Sequence, residues 1–200
     1  MTPALRLSWR LATEADETAI RDLMKLAIEE LQKDFLSPTQ IAASHAVMGL
    51  DKQLIADRTY FIIEVGGEMA GCGGWGKRAT LYGGDHSQGR SDSLLDPARD
   101  PARIRAMYTH PAFARRGIGR LVLALGERAA ADAGFTRLTL GATKAGEPLY
   151  AAYGFKVVAR TEDKTPSGVA VPVATMEKMI DRAAADRFIA AMSPAQDRVG

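Results

Sequence analysis

The chain has 200 residues, of which 46% are hydrophobic and 25% charged; those proportions exclude a wholly disordered or fibrous protein. Twenty-six Lys and Arg against 24 Asp and Glu leave a net charge of only +2, which argues against a general polyanion binder, and no nucleic-acid partner is expected. The first ten residues lack an apolar signal core and no run approaches ~18 apolar residues, so no membrane partner and a cytoplasmic location are expected.

A short strand is predicted over 9–12. Thr13 then precedes Glu14, Ala15 and Asp16, the pattern of a helix N-cap followed by an acidic first turn. Ile20, Leu23, Met24, Ala27, Ile28 and Leu31 recur at helical spacing and predict an amphipathic helix over 15–31. Ser37-Pro38 opens a second helix that should run to Met48 and end at Gly49. Residues 59–65 are rich in β-branched and aromatic side chains; with Gly66-Gly67 and a return over 68–75 they predict a hairpin. A polar, glycine-rich stretch over 77–101 is too long for an ordinary connection, and such loops are usually functional.

Another strand is predicted over 104–109, broken by His110-Pro111. Gly117-Ile118-Gly119 leads into a long helix ending near Ala133-Gly134. A strand over 135–140 must then run parallel to the strand before the helix, because the helix crosses between them. A short helix over 147–152 is capped by Gly154. Strands over 156–160 and 171–179 flank a Pro166-Ser167-Gly168 turn, and a terminal helix covers 181–192, placed either to cover the sheet or to pair with a second copy as a homodimer. The predicted sum is an α/β (α+β) fold with a mixed, mostly antiparallel sheet of six to seven strands.

The chain has a single cysteine, Cys72, and three histidines, His45, His86 and His110. One thiol and scattered imidazoles exclude an intramolecular disulfide and a Cys-based zinc cage, and no metal is expected. The chemically informative segment is Arg115-Arg116-Gly117-Ile118-Gly119-Arg120, between a strand and a helix. Amides at a helix N-terminus are unpaired and the macrodipole adds positive potential there. The glycines allow close approach to the main chain, and three arginines add charge, which suits a pyrophosphate. A Gly-x-Gly alone is equally a tight turn with solvated arginines. A P-loop needs Lys-Ser/Thr where this chain has Arg120-Leu121, and a dinucleotide fingerprint needs a third glycine where it has Val122.

The run Met107-Tyr108-Thr109-His110-Pro111-Ala112-Phe113-Ala114-Arg115-Arg116-Gly117-Ile118-Gly119, followed after the crossover by Leu149-Tyr150-Ala151-Ala152-Tyr153-Gly154-Phe155, resembles the Gcn5-related N-acetyltransferase (GNAT) superfamily. The resemblance covers about 8–179 and implies an acetyltransferase domain over 1–180 with an inserted loop at about 77–102, followed by a C-terminal helix and tail over 181–200. The family's motif begins with Gln or Arg where this chain has Ala114, so one side-chain phosphate contact is missing; Arg115 is the candidate substitute. The resemblance further implies acetyl-CoA as co-substrate and direct acetyl transfer to a primary amine in a ternary complex. The coenzyme would lie in a gap between the strands 104–109 and 136–140, its pantetheine arm paired as a false strand with Met107, Tyr108 and Thr109. The pyrophosphate would sit on the main chain of Arg115, Arg116, Gly117, Ile118, Gly119 and Arg120, and Thr143 would face the arm. Tyr150 matches the position whose hydroxyl approaches the coenzyme sulfur, where it would act as general acid; Tyr153 is expected to pack.

The acceptor and its general base are not named by the sequence. Glu64 is expected as an ion-paired strand residue, Asp85 and His86 as a polar turn, and Cys72 as a buried core residue rather than an acyl carrier. Trp75 and Tyr82 divide evenly between acceptor pocket and core. Arg99, Arg103 and Arg105 are expected to form a solvated charged face. The rival readings are an acyl-CoA sensor without catalysis, a transferase for another acyl-CoA, and a nucleotide-binding regulatory module.

Overall fold

The computed structural model describes residues 7–87 and 90–193. The tail expected beyond the last helix therefore lies outside the described residues from 194 on, as do residues 88 and 89 of the long loop. The elements in chain order are β1 (Leu7–Leu11), α1 (Glu17–Leu31), α2 (Pro38–Ser44), α3 (Lys52–Ala56), β2 (Tyr60–Val65) and β3 (Glu68–Gly76). They continue with β4 (Ala102–Thr109), α4 (Ile118–Asp132), β5 (Arg137–Ala142), α5 (Glu147–Ala152), β6 (Lys156–Lys164), β7 (Ala170–Met179) and α6 (Arg182–Met192). The seven strands form one sheet in the order β1-β2-β3-β4-β5-β7-β6. Every neighbouring pair is antiparallel except β4 and β5, as the helical crossover between them requires.

Local sequence accounts for most boundaries. Before α1, Thr13 and Asp16 form a reciprocal capping box around a single 3-10 turn, which satisfies amides left bare by the helix start. Five side chains of α1 are buried, at 20, 23, 24, 27 and 28, and fully burying an aliphatic side chain contributes roughly 1.5–3 kcal/mol. Ser37 caps α2 with Gln40 completing its box. That helix stops at Ser44 rather than Met48, because the amides of Ala46 and Val47 turn back to the carbonyls three residues earlier, a tightening typical of helix ends. α3 was not expected from the sequence. Asp51 caps it by accepting from the Gln53 amide at 3.1 Å, and its Leu54 and Ile55 are buried.

β5 begins two residues later than predicted. Phe135 donates its amide to the Ala130 carbonyl, and Gly134, at φ +90°, donates to Ala131. That left-handed stop assigns Phe135 to the end of α4. Three apolar clusters fill the fold. One lies under α1, one between α4 and the β4-β5-β7 side of the sheet, and one between α4 and α6. In the third, Ala185 and Ile189 of α6 pack with Leu121, Val122 and Leu125 of α4, so α6 covers a helix of its own chain.

Candidate functional site

Pairing between the parallel strands is confined to Ala102 with Leu138 and Arg103 with Thr139. Beyond these residues β4 and β5 diverge, and a cleft opens between Ile104–Tyr108 on one side and Gly141–Thr143 on the other. A bulge shapes the β4 wall. The β3-β4 register slips between Cys72 and Gly74, and Ala106 adopts φ +49°, a left-handed backbone that costs an L-residue of order 1–3 kcal/mol. Two neighbours hold it. The Tyr60 hydroxyl donates to the Ala106 carbonyl at 2.7 Å. Gly73 lies so close that a Cβ there would stand 2.7 Å from Met107 Cγ. A bulge re-aims the groups of the strand that carries it, and here it re-aims the main chain at Met107.

One end of this region is the start of α4. His110 accepts the Ala112 amide at 3.1 Å through Nδ1 and opens a 3-10 turn over Pro111–Phe113. Arg115 then adopts φ +63°, and Gly117, the N-cap, φ +84°. A glycine N-cap has no side chain to satisfy the first amides, and the first turn carries no acidic residue, so the positive end of the helix is uncompensated. Arg115, Arg116 and Arg120 are exposed. The Arg116 guanidinium lies 5.6 Å from the Phe113 ring centroid, and that of Arg120 lies 4.5 Å from Phe188 of α6. Ile118 is buried in the core and contributes only its main chain. At Gly119 a Cβ would stand 2.7 Å from Leu149 Cδ2 and 3.7 Å from Thr109 Oγ1, so the bare backbone here lets the Leu149 side chain of α5 pack directly on the start of α4.

Tyr150 lines the cleft from α5. Its ring lies against Gly146, where a Cβ would be 2.7 Å from Cε2, and meets Phe155 edge-on at 6.1 Å. Burial pushes its hydroxyl up to about 12. Thr143 lines the same cleft, and its hydroxyl accepts the Gly146 amide at 3.3 Å. Tyr108 is buried, with its hydroxyl raised by burial. The remaining wall consists of Val47, Met48 and Gly49 beyond α2, Tyr82 and Gly83 of the long loop, and Val171 and Val173 of β7. The cleft holds about 80 Å³ of water-accessible space. Its lining, among the described residues, has no carboxylate and no imidazole.

The structure thus brings Met107, Tyr108, Thr143 and Tyr150 to one cleft, with Thr109 and Gly119 at close quarters beside it. Glu64 is ion-paired with Arg10 at 3.1 Å. Asp85 accepts the Lys52 amide at 3.0 Å and His86 packs on Gly49. Cys72 is fully buried and its thiol is pushed up to about 12, unsuited to nucleophilic work. Trp75 and Tyr82 part company: Trp75 is core, 5.9 Å edge-on to Phe135, and Tyr82 lines the cleft. Tyr153 packs on Phe155 and donates to Glu127 Oε2 at 2.7 Å.

The expectation of a solvated arginine face fails at Arg105. Arg99 is exposed, but Arg105 is 97% buried, its Nη2 2.9 Å from Asp51 Oδ2. A buried guanidinium needs a carboxylate partner, and Asp51 comes from the segment joining α2 to α3, far away in sequence. The only sequence signal was an arginine placed between Ile104 and Ala106 in an apolar strand. No signal in the sequence brings Val47, from the segment after α2, and Val171 and Val173, from β7, to one wall of the cleft.

A family model described as the acetyltransferase (GNAT) family matches residues 21–155. Among solved structures, the chain is similar to a protein described as a GCN5-related N-acetyltransferase from Rhodopseudomonas palustris, at TM-score 0.63 and 20% identity over 90% of this chain and 98% of that one. It is also similar to yncA from Salmonella typhimurium, solved with acetyl-CoA, at 0.57 and 21% over 88% and 95%. A third is the ribosomal-protein-S18-alanine N-acetyltransferase from Escherichia coli, at 0.54 and 17% over 97% and 99%. At these identities the likeness is one of fold. No match was found among curated proteins.

Proposed function

The chain belongs to the GNAT acetyltransferase family, and on that premise we propose that it transfers an acetyl group from acetyl-CoA directly to a primary amine held in the same cleft. The observation that carries this reading is the separation of β4 from β5 beyond residues 103 and 139, beside a helix start whose amides and exposed arginines suit a diphosphate. In this reading the pantetheine arm pairs with the main chain of Met107 and Thr109, alongside Tyr108 and facing Thr143. The pyrophosphate rests on the main chain of residues 115–120. The neutral amine nitrogen attacks the thioester carbonyl carbon, and the Met107 amide, turned by the bulge, donates to the oxygen as charge gathers there. The carbon–sulfur bond then breaks and the Tyr150 hydroxyl gives its proton to the departing sulfur. The amine's own proton leaves to water, and Tyr150 is reprotonated from solvent. Residues 1–180 form the transferase unit in this proposal, with 181–200 as its C-terminal extension, and it works in the cytoplasm.

Calorimetric titration with acetyl-CoA, together with release of free thiol in the presence of amines, tests the reading. Arg115→Glu with Arg116→Glu changes two exposed side chains and is expected to weaken acetyl-CoA binding by about tenfold or more. Gly119→Trp is expected to abolish it. Unchanged affinity in both variants would remove the diphosphate from this loop. Tight binding with no thiol release from any amine would favour a sensor over an enzyme.

A further inference from the structure

The wall of the cleft formed by residues 47–49, residues 82–83 and β7 is closed by contacts between segments distant in sequence. Tyr82 spans it. Its ring lies on Gly141 of β5, where a Cβ would stand 2.5 Å from Tyr82 Cδ1, and its hydroxyl donates to Asp163 Oδ1 of β6 at 2.8 Å. β7 lies between β5 and β6 in the sheet, so this one side chain crosses it. The main chain beside Tyr82 is anchored. Arg105 donates to the Thr80 carbonyl at 2.9 Å and the Gly83 carbonyl at 2.8 Å, and Arg90 donates to the Gly84 carbonyl at 3.1 Å. The Asp85 amide donates to the Leu50 carbonyl at 2.9 Å, which joins the long loop to the segment after α2. The helix α2 in turn reaches β7, where Gln40 Nε2 donates to the Ala170 carbonyl at 3.3 Å. From α2 through residues 50, 85, 82 and 163 to 170 and back to 40, these contacts form a closed collar.

An amine on a polypeptide enters with its chain behind it, and an extended chain needs a groove or an open sheet edge along which successive residues lie. Here the ways out between α2 and β7, and between the long loop and β6, are both bridged. The space is also small. The whole cleft's volume of about 80 Å³ is room for roughly five to eight waters at ~10–15 Å³ each. Val47, Met48, Val171 and Val173 make the wall inside the collar apolar. We infer that the acceptor is a small free primary amine with an apolar body of a few carbon atoms, rather than a peptide terminus or a lysine side chain, and that the Tyr82–Asp163 bridge sets this choice. The body lies on the valine and methionine wall and the amine faces the thioester. Tyr82 and Asp163 act as specificity determinants by exclusion, since they deny a longer substrate its exit. The inference rests on the acetyltransferase reading above.

The test measures thiol release at saturating acetyl-CoA with 3-methylbutylamine, L-leucine amide, a pentapeptide beginning with leucine, and an N-terminally blocked peptide with one central lysine. The amide and the pentapeptide share their amine and first side chain and differ only in the chain beyond. The expected kcat/KM for each small amine exceeds that for either peptide by about 10²-fold or more. Asp163→Ala breaks the bridge from outside the cleft's lining, and Tyr82→Ala removes it from within. Each is expected to raise kcat/KM for the pentapeptide, relative to L-leucine amide, by about tenfold or more. Acetyl-CoA affinity, titrated on the same samples, separates the two levels of failure. A peptide acetylated as fast as the small amines, variants that bind acetyl-CoA yet gain nothing on the pentapeptide, or normal acetyl-CoA binding with no thiol release from either small amine would each overturn the inference and leave the donor site standing. Absence of acetyl-CoA binding by the unaltered protein would overturn both.

Discussion

At the scale of single residues, Tyr150 is set apart by what surrounds it. Tyr150 lines the cleft and its hydroxyl is pushed up to about 12 by burial, so it keeps its proton through the neutral range and can serve as a donor but not as a base. Among the described residues, no carboxylate or imidazole in the lining is available to take a proton from an amine. The pH dependence of kcat/KM should therefore rise with the acceptor amine's own pKa, without a falling limb from Tyr150 below about pH 11. Tyr150→Phe removes the proton donor and keeps the ring on Gly146. It is expected to lower kcat by about 10²-fold or more with acetyl-CoA affinity changed less than about twofold. Retention of full kcat would exclude Tyr150 from the chemistry.

At the scale of the element, the site depends on β3, a strand that touches no proposed ligand. Its run Gly71-Cys72-Gly73-Gly74 lets neighbours approach more closely than side chains allow. A Cβ at Gly74 would run into the Thr59 carbonyl and lie 2.9 Å from Tyr60 Cα, and one at Gly71 would be 2.5 Å from Ile118 Cγ2. The Thr59 carbonyl already accepts the Trp75 amide at 3.1 Å. Since that clash is with main chain, no side-chain rotation relieves it. Gly74→Ala is expected to destabilise the protein by about 1–3 kcal/mol, read as a lower urea midpoint. It should also disturb Tyr60, whose hydroxyl fixes the β4 bulge. A midpoint equal to wild type would show that the β2-β3 contact relaxes freely. Glycines in a strand usually weaken it, and here they place β4 and α4 where the cleft needs them.

At the scale of the whole molecule, stability is spread over ion pairs between distant segments. Asp57 accepts from Arg78 at 2.7 Å, joining α3 to the long loop, and its carboxyl is held below the usual range by that guanidinium. Asp16 is lowered mainly by Arg10, and Glu147 by Arg160. Groups with depressed folded pKa values stabilise above the unfolded value, near 4, and that stability is lost as pH falls through the folded values. Cys72, Tyr60 and Tyr108 are raised by burial. They stabilise fully below their unfolded values, from about 8.5 for the thiol upward, and lose that contribution as pH rises. Thermal unfolding from pH 2 to 10 should therefore give a plateau between about 5 and 8 with lower Tm on both sides. A Tm that climbs on acidification below pH 4 would contradict these pairings.

The sequence by itself determined the elements with a strong local period or a strong stop. The α1 stripe at 20, 23, 24, 27 and 28, the Gly66-Gly67 hairpin and the crossover helix after Gly117-Ile118-Gly119 are all decided within a few residues of themselves. The motif around that helix start and Tyr150 also fixed the family, because the amides that suit a diphosphate lie close together in the chain. Only the tertiary structure decided the far wall of the cleft. α3 is too short to show a period, and it stands because Asp51 caps it and Leu54 and Ile55 find a core. Arg105 looked like a surface charge until Asp51, Thr80 and Gly83 were folded against it. The wall formed by Val47, Val171 and Val173 exists only because β7 lies beside β5 and the segment after α2 closes the far side. Backbone geometry is set by neighbours in sequence, whereas burial and charge pairing depend on partners tens of residues away, such as Asp51 and Gly83 for Arg105, which a linear reading does not bring together.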